Sequence, residues 1–141
     1  MMNHIAWISF TPRGRELAEK LCEAMGGTAA DARREGFSLS AWTERAFSEA
    51  QALVFVGAAG ICVRAIAPFL RNKTEDPAMI CLDEAGQFVI PLLSGHLGGA
   101  NDLARKIAHQ CGAAPVITTA TDVNHLFAVD LWAKKRFQWR L

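Results

Sequence analysis

The run Leu53-Val54-Phe55-Val56 sets four apolar side chains in succession, with no polar residue alternating between them. A strand of this kind meets apolar neighbours on both faces, the pattern of a largely parallel sheet covered by helices on its two sides. Gly57-Ala58-Ala59-Gly60 then turns the chain into a helix through Ile61, Ala65, Ile66 and Phe69. Pro68 must shorten or kink that helix, because it has no N–H to donate. The same alternation recurs along the chain. Ile5 to Phe10 reads as a first buried strand, and Thr11-Pro12 as a helix cap followed by proline at the first helical position. Leu17, Ala18, Leu21, Cys22 and Met25 follow at helical spacing, stopped by Gly26-Gly27.

Between Thr28 and Ser38 the pattern is weak and predicts at most a short edge strand near Gly36-Phe37-Ser38. Ser40 is a candidate cap for a helix that buries Trp42, Ala46, Phe47 and Ala50. Met79–Asp83 and Phe88–Leu93 read as strands joined by a turn at Glu84-Ala85-Gly86. Gly98 to Cys111 reads as a helix with Leu103, Ala104, Ile107 and Ala108 inside and Gly112 as its stop. Pro115 to Thr118 is a further strand, and Ala128 to Arg136 a last helix. The expected fold is a single α/β domain over residues 1–141. It has an open, mostly parallel sheet with helices on both faces and one hairpin, flavodoxin-like in outline.

A chain of 141 residues can bury about two thirds of its unfolded surface without staples. Its 51% apolar and 21% charged residues exclude disorder. The 15 basic and 14 acidic side chains nearly cancel, which gives no electrostatic footprint for nucleic acid or a membrane surface. The N-terminus has no basic start followed by a long apolar stretch, so it does not read as a signal peptide. The apolar tract from Ala52 to Val63 is too short and too broken to span a membrane. Cys22, Cys62, Cys81 and Cys111 stand far apart, with no zinc-like spacing. They are expected to be reduced thiols in a cytoplasmic protein.

In open α/β sheets ligands bind beyond the carboxyl ends of the strands, and three loops there carry polar chemistry. In the first, Gly57 and Gly60 let a ligand approach the backbone at a helix N-terminus, with Arg64 one turn on. A plain strand–helix turn with a solvated Arg64 fits equally well. The second is Ser94-Gly95-His96-Leu97-Gly98-Gly99-Ala100-Asn101-Asp102, which combines a titratable histidine, open backbone and a helix dipole. Its bland counterpart is a loop whose glycines serve only positive φ. The third, Thr118-Thr119-Ala120-Thr121-Asp122, gathers hydroxyls and a carboxylate, residues that are also ordinary turn formers. No phosphate loop, dinucleotide fingerprint or nucleophile elbow is present.

Four segments together resemble the N-terminal part of the cobalt-precorrin-5A hydrolase family of anaerobic cobalamin biosynthesis. They are Gly60 to Pro68, Asp76-Pro77-Ala78, Leu92 to Asn101 and Pro115 to Asp122. The resemblance runs from about Leu53 to Trp132, and the first fifty residues fit only loosely. It implies opening of the δ-lactone of a cobalt-bound corrin precursor with loss of acetaldehyde. That chemistry needs a nucleophile, an oxyanion site and proton delivery. His96 is the candidate base and Asp122 the group that orients it or the water. Backbone N–H groups from Gly98 to Ala100 are candidate oxyanion donors. Gly57, Gly60, Arg64, Ser94, Gly95, Gly98, Gly99, Asn101, Thr119 and Thr121 are the candidate substrate-binding residues, with Arg64 pairing a peripheral carboxylate.

The chain shows no convincing metal-ligand set, so no protein-bound metal or cofactor is expected and cobalt is expected to arrive inside the macrocycle. Family members usually continue into a C-terminal domain. Phe137 and Trp139 beside Lys134, Lys135, Arg136 and Arg140 look like a sequence leading onward, so a shortened chain or one half of a split protein is expected. Two other readings remain open. One is a non-catalytic tetrapyrrole-binding module that needs a companion domain or subunit; the other is a flavodoxin-like nucleotide binder.

Overall fold

The computed structural model describes residues 4–95 and 98–120. In chain order these form β1 (Ile5–Ser9), α1 (Pro12–Met25), β2 (Thr28–Asp31), α2 (Leu39–Glu49), β3 (Ala52–Val56) and α3 (Ala59–Ile66). A 3-10 turn, Ala67–Phe69, precedes β4 (Ala78–Leu82), β5 (Phe88–Leu93), α4 (Ala100–Cys111) and β6 (Ala114–Pro115). The strands lie in the order β2-β1-β3-β4-β5-β6. All neighbours pair in parallel except β4 and β5.

Every residue of β1, β3 and β4 is buried, and alternate side chains feed two separate cores. On one face Trp7, Val54, Val56, Ile80 and Leu82 pack against Ala18 and Leu21 of α1 and Leu103, Ala104 and Ile107 of α4. On the other, Ile8, Leu53, Phe55 and Met79 meet Ala46 and Phe47 of α2 and Cys62 and Ile66 of α3. Phe55 stacks on Phe10 at 6.0 Å and meets Trp42 edge-on at 5.9 Å. Burying one such ring contributes about 1.5–3 kcal/mol.

Local departures from the sequence reading have identifiable causes. The edge strand is Thr28–Asp31 rather than a segment near Gly36–Ser38. Gly26 and Gly27, both at positive φ, return the chain directly beside β1, with Ala6 opposite Thr28 and Ser9 opposite Asp31. β2 is only half-covered, so it carries no apolar signature. Ser38, not Ser40, caps α2: its backbone is extended and its Oγ accepts the Ala41 N–H at 3.1 Å. Pro68 limits α3, which gives way to the 3-10 turn after Ile66. The last strand contracts to Ala114–Pro115, continued by a single bond from Val116 N–H to the Val89 carbonyl. Pro115 sits where an edge strand tolerates a missing donor. The last helix, Ala128 to Arg136, lies outside the described residues.

The β4–β5 turn is set by Asp83, whose carboxylate accepts the N–H groups of Ala85, Gln87 and Phe88 at 3.1, 2.9 and 2.6 Å. This hairpin decides where the functional loops lie, because it reverses the direction of everything after it.

All four cysteines are free thiols on helices or strands. Burial pushes the Cys62 thiol from the ordinary 9.0 up to about 12, with Cys81 adding to it. A raised folded-state pKa stabilises fully below the unfolded value, and that stability drains as pH rises from 9.0 toward about 12. Urea melts should therefore show stability falling by roughly 1 kcal/mol by about pH 10 on this account. Cys62→Ala should remove that part of the slope, and an unchanged slope would refute the assignment.

Candidate functional site

β4 runs from Ala78 to Leu82, and the candidate loops lie at its two ends. Gly57 follows β3 and donates its N–H to the Leu82 carbonyl at 2.9 Å, at the finishing edge of the parallel strands. Its own carbonyl accepts the Cys81 thiol at 3.2 Å. Ser94 follows the reversed β5, in which Leu93 lies opposite Met79, at the starting edge. β6 runs parallel to β5 and so delivers Thr119 to that same starting edge. At about 3.3 Å per residue the length of β4 separates the two edges by roughly 13 Å.

The structure thus brings Ser94, Gly95, Gly98, Gly99, Asn101 and Thr119 together and leaves Gly57, Gly60 and Arg64 at the opposite end of the sheet. Arg64 is exposed, and its guanidinium folds back over Gly60, where a Cβ would lie 3.3 Å from Nη1. Gly57 meets the Phe10 ring. His96, Thr121 and Asp122 lie outside the described residues.

The loop at the starting edge is heavily constrained. Ser94 adopts φ 61, a left-handed conformation that a non-glycine residue holds only when its surroundings enforce it. Its Oγ donates to the Asp76 carbonyl at 2.9 Å. Its carbonyl accepts the N–H groups of Gly98 at 3.2 Å and Ala100 at 3.1 Å. Buried Asn101 donates from Nδ2 to Thr119 Oγ1 at 2.9 Å and from its main chain to the Gly95 carbonyl at 3.4 Å.

Two glycines are dictated by close approach. A Cβ on Gly95 would stand 2.9 Å from Thr119 Cγ2, and one on Gly98 would stand 2.6 Å from Ser94 Cβ. Gly95 and Gly98 are thus both pinned, on either side of His96-Leu97. α4 begins at Ala100 behind Gly99, which has φ 77 and makes no side-chain cap.

These bonds already engage several of the candidate groups. The Gly98 and Ala100 N–H groups already donate to Ser94, so of the three candidate oxyanion donors Gly99 alone has no acceptor among the described residues. Ser94, Asn101 and Thr119 make hydrogen bonds to the protein and shape the loop. Sequence reasoning gave no role to Asp76, whose main chain anchors Ser94. The signal for it was local: Asn72 and Asp76 bracket a short polar stretch of the kind that forms side-chain-to-backbone turns. Among the described residues no group of three or more His, Cys, Asp or Glu can hold a metal, and no helix is long and apolar enough to cross a membrane.

A doubly wound α/β domain, with a glycine-rich loop after the first of its two reversed strands clamped to the entrance of the neighbouring strand, is the class that fold and site define. Known proteins are similar to this chain. The chain belongs to the Cobalamin synthesis G N-terminal family, whose pattern matches residues 41–122. It is 46% identical over 137 residues to the cobalt-precorrin-5A hydrolase of Salmonella typhimurium, covering 92% of this chain and 39% of that protein. With the cobalt-precorrin-5A hydrolase of Priestia megaterium it shares 47% identity over 93 residues, 66% of this chain and 25% of that one. A solved cobalamin biosynthesis protein G homolog from Sulfolobus solfataricus superposes with a TM-score of 0.69 at 30% identity, over 84% of this chain and 37% of that one. The similarity to the Salmonella protein reaches well into the first fifty residues, where the motifs are loose. The chain spans well under half the length of these relatives.

Proposed function

We propose that this chain is the N-terminal part of a cobalt-precorrin-5A hydrolase, acting in the cytoplasm on a cobalt-corrinoid lactone. The observation that carries the reading is the 46% identity over 92% of the chain to a protein of that name. The constrained residues Ser94, Gly95, Gly98 and Asn101 support it, since they offer a held polar edge beside which a reacting group can be placed.

In this reading His96 takes a proton from water as the water adds to the lactone carbonyl. The acyl C–O bond then breaks, leaving a carboxylate and an alcohol that regains the proton. Gly99 N–H is the available backbone donor for the oxyanion. Asp122 orients His96 or the water. Deprotonation of the new alcohol then expels acetaldehyde, as the adjoining C–C bond breaks and its electron pair passes into the conjugated macrocycle. Cobalt enters as part of the substrate, and the protein supplies no metal or cofactor of its own.

The test is acetaldehyde release from cobalt-precorrin-5A, reported by an alcohol dehydrogenase, with binding followed through the corrin chromophore. Turnover supports the hydrolase reading. Failure to bind the corrinoid overturns it. The share of the Salmonella relative that this chain spans, 39%, favours one alternative, a substrate-gripping part completed by a companion domain or subunit. Binding without release would select that alternative.

A further inference from the structure

We infer that the loop from Leu70 to Asp76 is the carboxylate-recognising wall of this site, with Arg71 and Lys73 pairing the acidic side arms of the corrinoid. The inference rests on the tetrapyrrole reading above and assigns the recognition of its acidic rim. It replaces Arg64, which stands at the other edge of the sheet.

Place comes first. Asp76 ends the loop, and its carbonyl takes the Ser94 hydroxyl at 2.9 Å, so the loop borders the constrained segment directly. Rigidity comes next. The Asp76 carboxylate accepts the Arg71 main-chain N–H at 3.1 and 3.3 Å, closing the loop on itself. Inside it, Asn72 Oδ1 accepts the N–H groups of Thr74 and Glu75, each at 2.9 Å, and the Thr74 hydroxyl at 2.6 Å. The Asp76 N–H closes on the Asn72 carbonyl at 3.0 Å. Lys73 therefore sits on a turn whose shape is set before any ligand arrives, which lowers the ordering cost of binding.

Charge is the third observation. Arg15, Arg33, Arg45 and Arg105 each pair with a carboxylate. Arg71 and Lys73, both exposed, pair with none among the described residues. The Asp76 carboxylate holds the Arg71 backbone rather than its guanidinium, leaving that cation available. Beside the loop lies a cleft of about 430 Å³ against α2, lined by Phe47, Phe69, Leu70, Arg71 and Asp76 among others. It has room for a side arm but not for a macrocycle. Apolar rings suit the methylenes of such an arm, and Arg71 in the lining suits its carboxylate, with Lys73 two residues on along the same turn. Glu44 and Glu75 also line the cleft and act against an anion, so removal of Glu75 should help binding.

The test is a titration of the protein with cobyrinic acid, a cobalt-corrinoid polycarboxylate, and with its fully methyl-esterified form. Arg71→Ala with Lys73→Ala should weaken binding of the acid by roughly tenfold or more and leave the ester unaffected. Glu75→Gln should tighten the acid, and Arg64→Ala should leave it within about twofold. Added salt should weaken the unaltered protein more than the double variant. Lys73→Arg should restore part of the affinity. The substituted side chains are exposed, so unchanged melting temperatures are expected and would confirm folding. If the unaltered protein binds the acid and the double variant binds it equally well, the loop assignment is overturned while the tetrapyrrole reading stands. If the unaltered protein binds neither corrinoid, both are overturned.

Discussion

His96→Gln and His96→Ala are each expected to cut acetaldehyde release by about two to four orders of magnitude, with corrinoid affinity nearly unchanged. Glutamine keeps a polar side chain of similar reach but cannot accept a proton at neutral pH. A loss common to both variants would therefore isolate proton transfer from mere contact. The locked residues on either side give the prediction its force, because Gly95 and Gly98 are fixed by Asn101, Thr119 and Ser94. Substitution at His96 should consequently leave those anchors in place. Near-normal turnover with an unchanged melting temperature would remove His96 from the role of base.

The architecture was legible because buried strands and amphipathic helices repeat a pattern set by two-sided burial. Leu53-Val54-Phe55-Val56 could be little else. β2 was misplaced because Thr28–Asp31 lies at the half-covered edge, where burial imposes no pattern on the sequence. The site was legible in its parts and not in its assembly. Glycines and polar residues mark all three loops, but the rule that ligands gather beyond strand ends sets them on one edge only if every strand runs the same way. The turn at Asp83 reverses β5, and with it the edge to which Ser94, Asn101 and Thr119 belong. Spacing along the chain cannot reveal that reversal's consequence for Arg64, because Arg64 precedes the hairpin and the others follow it. The tie between Asp76 and Ser94 is invisible for the same reason. It is a contact across the sheet, made by a backbone carbonyl that no residue type announces.

Gly98→Ala is the second large effect expected, and it tests the loop without touching a reacting group. The added Cβ would fall 2.6 Å from Ser94 Cβ, closer than packed carbon atoms come, and 3.2 Å from the Ser94 carbonyl oxygen, itself a tight contact. Neither neighbour is the loose end of a flexible side chain. Ser94 is already held at φ 61, with its hydroxyl on Asp76, so it cannot yield without losing that bond. The Ala78 main-chain nitrogen lies 3.4 Å behind the new atom and limits escape in that direction. Relief must come from shifting Gly98 itself, which loosens its N–H from the Ser94 carbonyl and unseats the start of α4. Overpacking of this kind should lower stability by about 2–3 kcal/mol, read as a drop of roughly ten degrees in Tm. In the fraction that remains folded, turnover should fall by at least about tenfold, because a displacement near 1 Å at a catalytic group is enough for such a loss. Ser94→Gly separates the two effects. It removes the clashing Cβ and relaxes the left-handed strain, so Ser94→Gly with Gly98→Ala should recover stability relative to Gly98→Ala alone. Failure of that rescue would show that the Ser94 contact does not limit the loop. Recovered stability with turnover still depressed would show that catalysis needs the Ser94 hydroxyl on Asp76, and not merely room for the chain to pass.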